Sequence, residues 1–235
     1  MKKCYNCGVV LSKGNITKEH IPAQNTFNGY PADFKLNRLT VPACFECNNK
    51  YSKIDKEIRD AIGIMNNNDK NQVELTRKAV KSILNEKNWK DRIEIVNGKV
   101  ESVTFSYDTF KQLHIKNFKG LFYHKYGIPL TEEFQIEIIA EGDFENDKLD
   151  KIAQLLAGFV ADGENFKVSG HHDIFQYKLK TLTPLDNGDQ INDSPTLENA
   201  LGVVGILIYH KNIEVVIVAA KKDFLESIRT DSKEF

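Results

Sequence analysis

Four cysteines carry the clearest chemical capacity in this chain. They stand as two Cys-x2-Cys pairs, Cys4 with Cys7 and Cys44 with Cys47, all within the first 47 residues, and the 188 residues that follow contain none. Two residues between thiols let both sulfurs of a tight turn face one point about 2.3 Å away, and two such turns complete a tetrahedral zinc site. Asn6 and Gly8 supply the turn chemistry beside the first pair. Four thiolates close the coordination shell, so the ion expected is a structural Zn²⁺ rather than a catalytic one. Two disulfides or four buried free thiols are the competing accounts. The paired spacing argues for metal, and so does a reducing cytoplasm. A cytoplasmic location is expected because the opening residues lack the apolar stretch of a signal peptide and no apolar run approaches the ~20 residues of a membrane helix. The two pairs are separated by 36 residues, more than the ~15 to 20 of a plain zinc ribbon. Something is inserted between them.

The insert contains Glu19-His20-Ile21-Pro22, a polar stretch through Asn25, Asn28, Gly29 and Pro31, and then Leu36 to Ala43. After the second pair come Asn48, Asn49, Lys50 and Tyr51. The pattern turns helical from Ser52, a cap residue, with Ile54, Ile58 and Ile62 on one stripe. The local expectation is strand, turn, strand and helix, stapled at the base by zinc. His20 is the only histidine before residue 114, and an unperturbed pKa near ~6.5 suits it to act as a base at neutral pH. Hydrogen bonding to a backbone carbonyl is its plainer alternative role. Glu19 and His20 are adjacent, so on a strand they would point to opposite faces; at a strand end or turn, which Pro22 suggests, both would serve one site.

In this order and spacing, residues 4 to 60 resemble the HNH endonucleases of the zinc-stapled ββα-metal type. The features that carry the resemblance are Cys-x2-Cys, an acidic residue followed by His-Ile-Pro, and Pro-x-Cys-x2-Cys-Asn leading into a lysine-bearing helix. The resemblance implies a metal-dependent endonuclease acting on DNA, with His20 activating water. It implies that Glu19, where Asp is usual, and Asn48, directly after the last zinc cysteine, hold a divalent cation. Carboxylate and amide oxygens suit Mg²⁺ or Mn²⁺. Asn37 is the nearest candidate for the middle asparagine of the motif, two positions early. Lys50, Lys53, Lys56 and Arg59 would contact phosphates and add salt-sensitive affinity, unless they form an ordinary solvated helix face with Glu57 as an ion-pair partner. A role in bacterial defence or mobile-element biology follows from the same likeness, with DNA as partner and a homodimer or a defence-system protein as a further one. The alternative is a catalytically inactive zinc-stapled module that binds nucleic acid or protein.

Around these residues stands an ordinary globular composition, 41% hydrophobic and 28% charged over 235 residues. That excludes collagen-like, coiled-coil and disordered chains. The net charge of -1 excludes a uniformly basic coat, yet residues 1 to 60 hold 10 Lys/Arg against 6 Asp/Glu, and the rest 22 against 27. A polyanion should meet the front of the chain first.

The fold class expected is α+β: a zinc-binding HNH-like module over 1–65, then an α+β domain of unassigned role over 66–235, divided at the polar run 66–69. Asn97-Gly98 predicts a hairpin within 92–105. Residues 108–126 predict a helix with Phe110, Leu113, Phe118, Leu121 and Phe122 on its core face and His114, Lys116, Lys119, His124 and Lys125 on a basic stripe. Strands are expected over 134–140 and 174–182, a helix over 147–159, a polar loop over 186–195, and a second hairpin over 201–220. His171-His172 reads as a polar bend rather than a metal site.

Overall fold

The computed structural model describes residues 1–65, 73–87, 91–97, 99–139, 165–182, 197, 200–211 and 213–230. Strand β1 (Ile16–Ile21) pairs antiparallel with β2 (Leu39–Cys44), from Ile16 opposite Cys44 to Ile21 opposite Leu39. Helix α1 (Phe45–Lys50) follows β2 without a linker, and α2 (Ser52–Met65) continues it after a single interruption at Tyr51. The helix therefore begins seven residues before the expected start at Ser52. The physical reason is that Cys44 itself is the N-cap: its sulfur accepts the amide of Cys47 at 3.4 Å, satisfying one of the free donors of the first turn. Ser52 instead donates its hydroxyl to the Asn49 carbonyl, 2.9 Å away.

Helix α3 (Val73–Leu84) packs on α2, and β3 (Ile93–Val96) and β4 (Lys99–Val103) form the first expected hairpin. Helix α4 (Tyr107–Tyr126) ends at Gly127, whose φ of 74° lets its amide reach back to the Tyr123 carbonyl at 2.8 Å. The second half is an antiparallel sheet in the order β5-β9-β8-β7-β6, made of β5 (Phe134–Ile139), β6 (Lys167–Val168), β7 (Phe175–Leu182), β8 (Gly202–Tyr209) and β9 (Ile213–Lys221). Helix α5 (Lys222–Thr230) closes it. The chain is α+β, as the hairpin signals imply. The helix expected over 147–159, the loop over 186–195 and the break at 66–69 lie outside the described residues.

Period-two alternation sorts the β8 and β9 side chains. Val203, Leu207, Tyr209, Ile217 and Ala219 face α4, while Val204, Ile206, Val216 and Val218 pack with Leu225 of α5 on the other side. The first of these clusters is continuous. It runs from Ile21, Val41, Ala43 and the knuckle residues Cys4 and Tyr5 through Leu113, Phe118, Leu121 and Phe122 to the sheet, and so includes residues on both sides of position 65. The apolar face of α4 is as the periodicity implies, but the basic stripe is not all outside: His114 and Lys116 are buried.

A smaller cluster, Phe27, Tyr30 and Ile174 with Phe34 against it, anchors the 22–38 insert to the turn before β7. That turn also ties down the insert end of the β1–β2 pair. Ser169 Oγ donates to the Ile21 carbonyl and accepts the Leu39 amide at 2.9 Å, and the Gly170 amide donates to the Asn37 carbonyl at 3.4 Å.

Candidate functional site

The first knuckle is a hairpin turn. Cys4 donates its amide to the Val9 carbonyl at 2.9 Å, Gly8 returns its amide to the Cys4 carbonyl at 3.0 Å, and Gly8 sits at φ 73°, a conformation open to glycine. Tyr5 donates to the Pro42 carbonyl at 2.9 Å and so fastens this knuckle to β2, just before the second one. The four sulfurs all lie within 4.8 Å of one another, and Cys7 Sγ and Cys44 Sγ are 3.8 Å apart. A tetrahedral ion with bonds of about 2.3 Å sets its ligand atoms about 3.8 Å apart. None of the four is in a disulfide.

Donors surround the sulfurs. Asn6 Nδ2 lies 3.3 Å from Cys47 Sγ, and Tyr51 Oη holds Asn6 by donating to its Oδ1 at 3.3 Å. Burial raises the Cys4 pKa, but the backbone amides of Cys7, Cys44 and Asn6 outweigh it and leave that thiol below its ordinary value. Burial pushes the Cys44 and Cys47 thiols up, so a cation is what would hold all four as thiolates. The donor set and spacing fit a structural metal such as zinc.

His20 and Glu19 both lie within β1, opposite Thr40 and Val41 respectively, so their side chains leave the hairpin on opposite faces. His20 is half-buried on the outer face. Desolvation, then the charges of Arg38, Lys18 and Lys116, hold its pKa below the usual imidazole value. Arg38 stands just before β2, with Nε on the Lys35 carbonyl at 2.9 Å and its guanidinium 5.5 Å above the Phe27 ring. Its Nη1 is buried and has no acceptor among the described residues.

Glu19 faces the core. It is 4% exposed, and its Oε1 lies 3.0 Å from Nζ of Lys116, a fully buried lysine on α4. The same Nζ is 2.8 Å from each carboxylate oxygen of Asp55 on α2. Burial raises the Glu19 pKa, Lys116 opposes it, and the Asp55 charge raises it further. A divalent ion bonded to Glu19 Oε1 at about 2.1 Å would sit within about 5 Å of the ammonium. At an effective dielectric near 20, the repulsion is roughly 7 kcal/mol or more. As arranged, Glu19 does not fit a divalent cation.

Asn48 is half-buried on α1. Asn37 is exposed at φ 55°, a left-handed position that asparagine tolerates, and its carbonyl is the part in use. Lys50 and Lys53 are exposed. Lys56 is 3.9 Å from Asp60 and 3.7 Å from Glu86, and Arg59 Nε lies 2.8 Å from Asp60, itself only 2% exposed. These last two cations neutralise a buried acid as well as facing solvent.

His171, His172 and Asp173 also cluster, but His172 Nε2 lies 2.9 Å from Asp173 Oδ1, Lys211 pairs with the same acid, and His171 stacks on Phe34 at 3.6 Å.

Sequence reasoning missed Asp55, Lys116 and Arg38. Asp55 is seven residues after Asn48, two helical turns on, and Lys116 falls three after Leu113 on the core stripe; a lysine at such a position needs a buried acid. Compared with known proteins, the chain matches no family model, no curated protein and no solved structure.

Proposed function

We propose that the chain is an endonuclease of HNH type that hydrolyses phosphodiester bonds in DNA, with His20 as the general base. One observation carries the reading. His20 projects from the outer face of the cysteine-stapled hairpin with its imidazole biased to the neutral form, beside Lys18 and an Arg38 guanidinium whose buried Nη1 has no acceptor among the described residues. A neutral imidazole takes a proton from water, the oxygen attacks phosphorus, and the bond from phosphorus to the leaving ester oxygen breaks, that oxygen taking a proton from solvent while the imidazolium returns its own to solvent. Arg38 and Lys18 supply positive charge to the phosphate oxygens. A structural metal on Cys4, Cys7, Cys44 and Cys47 would hold the hairpin and helix in register. No step is assigned to a divalent ion on Glu19, since that carboxylate is engaged by Lys116.

The test is nicking of supercoiled plasmid by the zinc-loaded chain, with and without added Mg²⁺ or Mn²⁺, for wild type and His20→Ala. The expected result is wild-type nicking that falls by about 10²-fold or more in the variant, with its zinc content unchanged. Nicking of equal rate in His20→Ala would remove the base from the mechanism.

A second reading, a zinc-stapled module that binds nucleic acid or protein without turnover, is favoured by the engagement of Glu19 and Asp55 with Lys116. Retention of DNA with no cleavage under any divalent ion would select it.

A further inference from the structure

We infer that Lys116 is the resident cation of the Glu19–Asp55 acid pair, a tethered ammonium standing in the place that the HNH resemblance assigns to a divalent metal ion. Two elements of the zinc module, β1 and α2, contribute the acids, and α4 inserts the lysine between them from outside residues 1–65. The lysine is 0% exposed. Its three N–H groups match three oxygens: Glu19 Oε1 at 3.0 Å, and Asp55 Oδ1 and Oδ2 at 2.8 Å each. The face of Tyr51 lies 5.3 Å from Nζ and adds a further cation contact.

The surroundings hold more oxygen than one ammonium satisfies. Glu19 Oε2 and Tyr5 Oη are both buried and have no hydrogen-bond partner among the described residues. Tyr5 is close enough for the Glu19 charge to help raise its pKa, after burial itself. The two carboxylates bring four oxygens to this place, of which three meet the ammonium, and carboxylate oxygens are the ligands that suit Mg²⁺ or Mn²⁺. Lys116 Nζ lies between the two carboxylates. While it does so, the acids bind no divalent ion; with the ammonium removed, the same oxygens become a metal site.

The inference rests on the HNH reading only in naming Glu19 as the expected ligand. It stands whether or not the chain cleaves DNA. Its test is Mn²⁺ binding, followed by electron paramagnetic resonance on the zinc-loaded full chain, for wild type, Glu19→Gln, Lys116→Met and the double variant.

Wild type and Glu19→Gln should give the same titration. Lys116→Met should gain one Mn²⁺ site at least about a hundredfold tighter than anything in wild type, and the double variant should lose it. Lys116→Met should also melt lower than wild type, because two buried carboxylates are left facing each other, and Mn²⁺ should restore it. A wild-type Mn²⁺ site that Glu19→Gln abolishes would overturn the inference, and this comparison does not need the lysine variant to fold. A folded Lys116→Met that gains no Mn²⁺ site would overturn it equally. Plasmid nicking is a separate readout: its failure in wild type removes the catalytic reading and leaves the resident cation in place.

Discussion

Gly120 is where α4 closes on the histidine strand, and Gly120→Ala tests that contact. A Cβ at this position would stand 2.6 Å from Ile21 Cγ1 and closer still to Ile21 Cδ1, with Val41 Cγ2 at 3.7 Å. Ile21 is fully buried next to His20, and its carbonyl is held by Ser169 Oγ. It has little room to retreat. Two effects oppose each other. Replacing glycine by alanine inside a helix stabilises by about 1 kcal/mol, whereas forcing an extra carbon into a packed contact costs about 1 to 3 kcal/mol.

Two atoms inside contact distance put the cost in the upper part of that range, about 2 to 3 kcal/mol, so the steric term should win by about 1 to 2 kcal/mol, lowering Tm by roughly 2 to 8 °C for a chain of this size. Urea and thermal denaturation of the zinc-loaded protein read this directly. Ile21→Val, which removes Cδ1, should recover part of the loss when combined with Gly120→Ala, so the double variant should be more stable than the sum of the singles implies. Gly120→Ala equal to or more stable than wild type would refute the claim that α4 supports β1 at this point.

Two other perturbations probe the staple and the core. Cys47→Ser should reduce bound zinc from one per chain to none by elemental analysis, and should remove amide protection around 3–10 and 44–50 in hydrogen exchange while the β8–β9 amides stay protected; intact protection at both knuckles would argue against a structural ion. His114 is 7% exposed with Nδ1 3.3 Å from Tyr209 Oη, and desolvation lowers its pKa from 6.5 to about 4. The folded pKa lies below the unfolded one, so the stabilising effect of the neutral ring is complete above about pH 6.5 and is lost as pH falls towards about 4, by up to about 3 kcal/mol. Urea midpoints at pH 7.5 and 4.5 should therefore converge more in His114→Gln than in wild type, and equal pH slopes would show that His114 is solvated.

Much of this architecture is legible in the residues. The cysteine spacing implies a clustered tetrad. Asn97-Gly98 implies the β3–β4 hairpin, and the apolar spacing of Leu113, Phe118, Leu121 and Phe122 implies the buried side of α4. Each signal is local, resting on a turn or one period of a helix. The helix start was less legible, because a cysteine sulfur does the capping that Ser52 advertises. Charge alone suggests a basic surface for Lys116 and His114, whereas both are buried, and a lysine is buried only where distant acids meet it.

The sequence by itself determined the cysteine staple, the α+β class and the identity of the histidine strand, since these follow from residue type and short-range spacing. Only the tertiary structure decided which way Glu19 points and what it meets there. β1 runs through Glu19 and His20 without a turn, so alternation sends one inward and one outward. Whether an inward carboxylate meets a metal or an ammonium depends on a helix that begins 88 residues later in the chain, a distance over which no local pattern carries information.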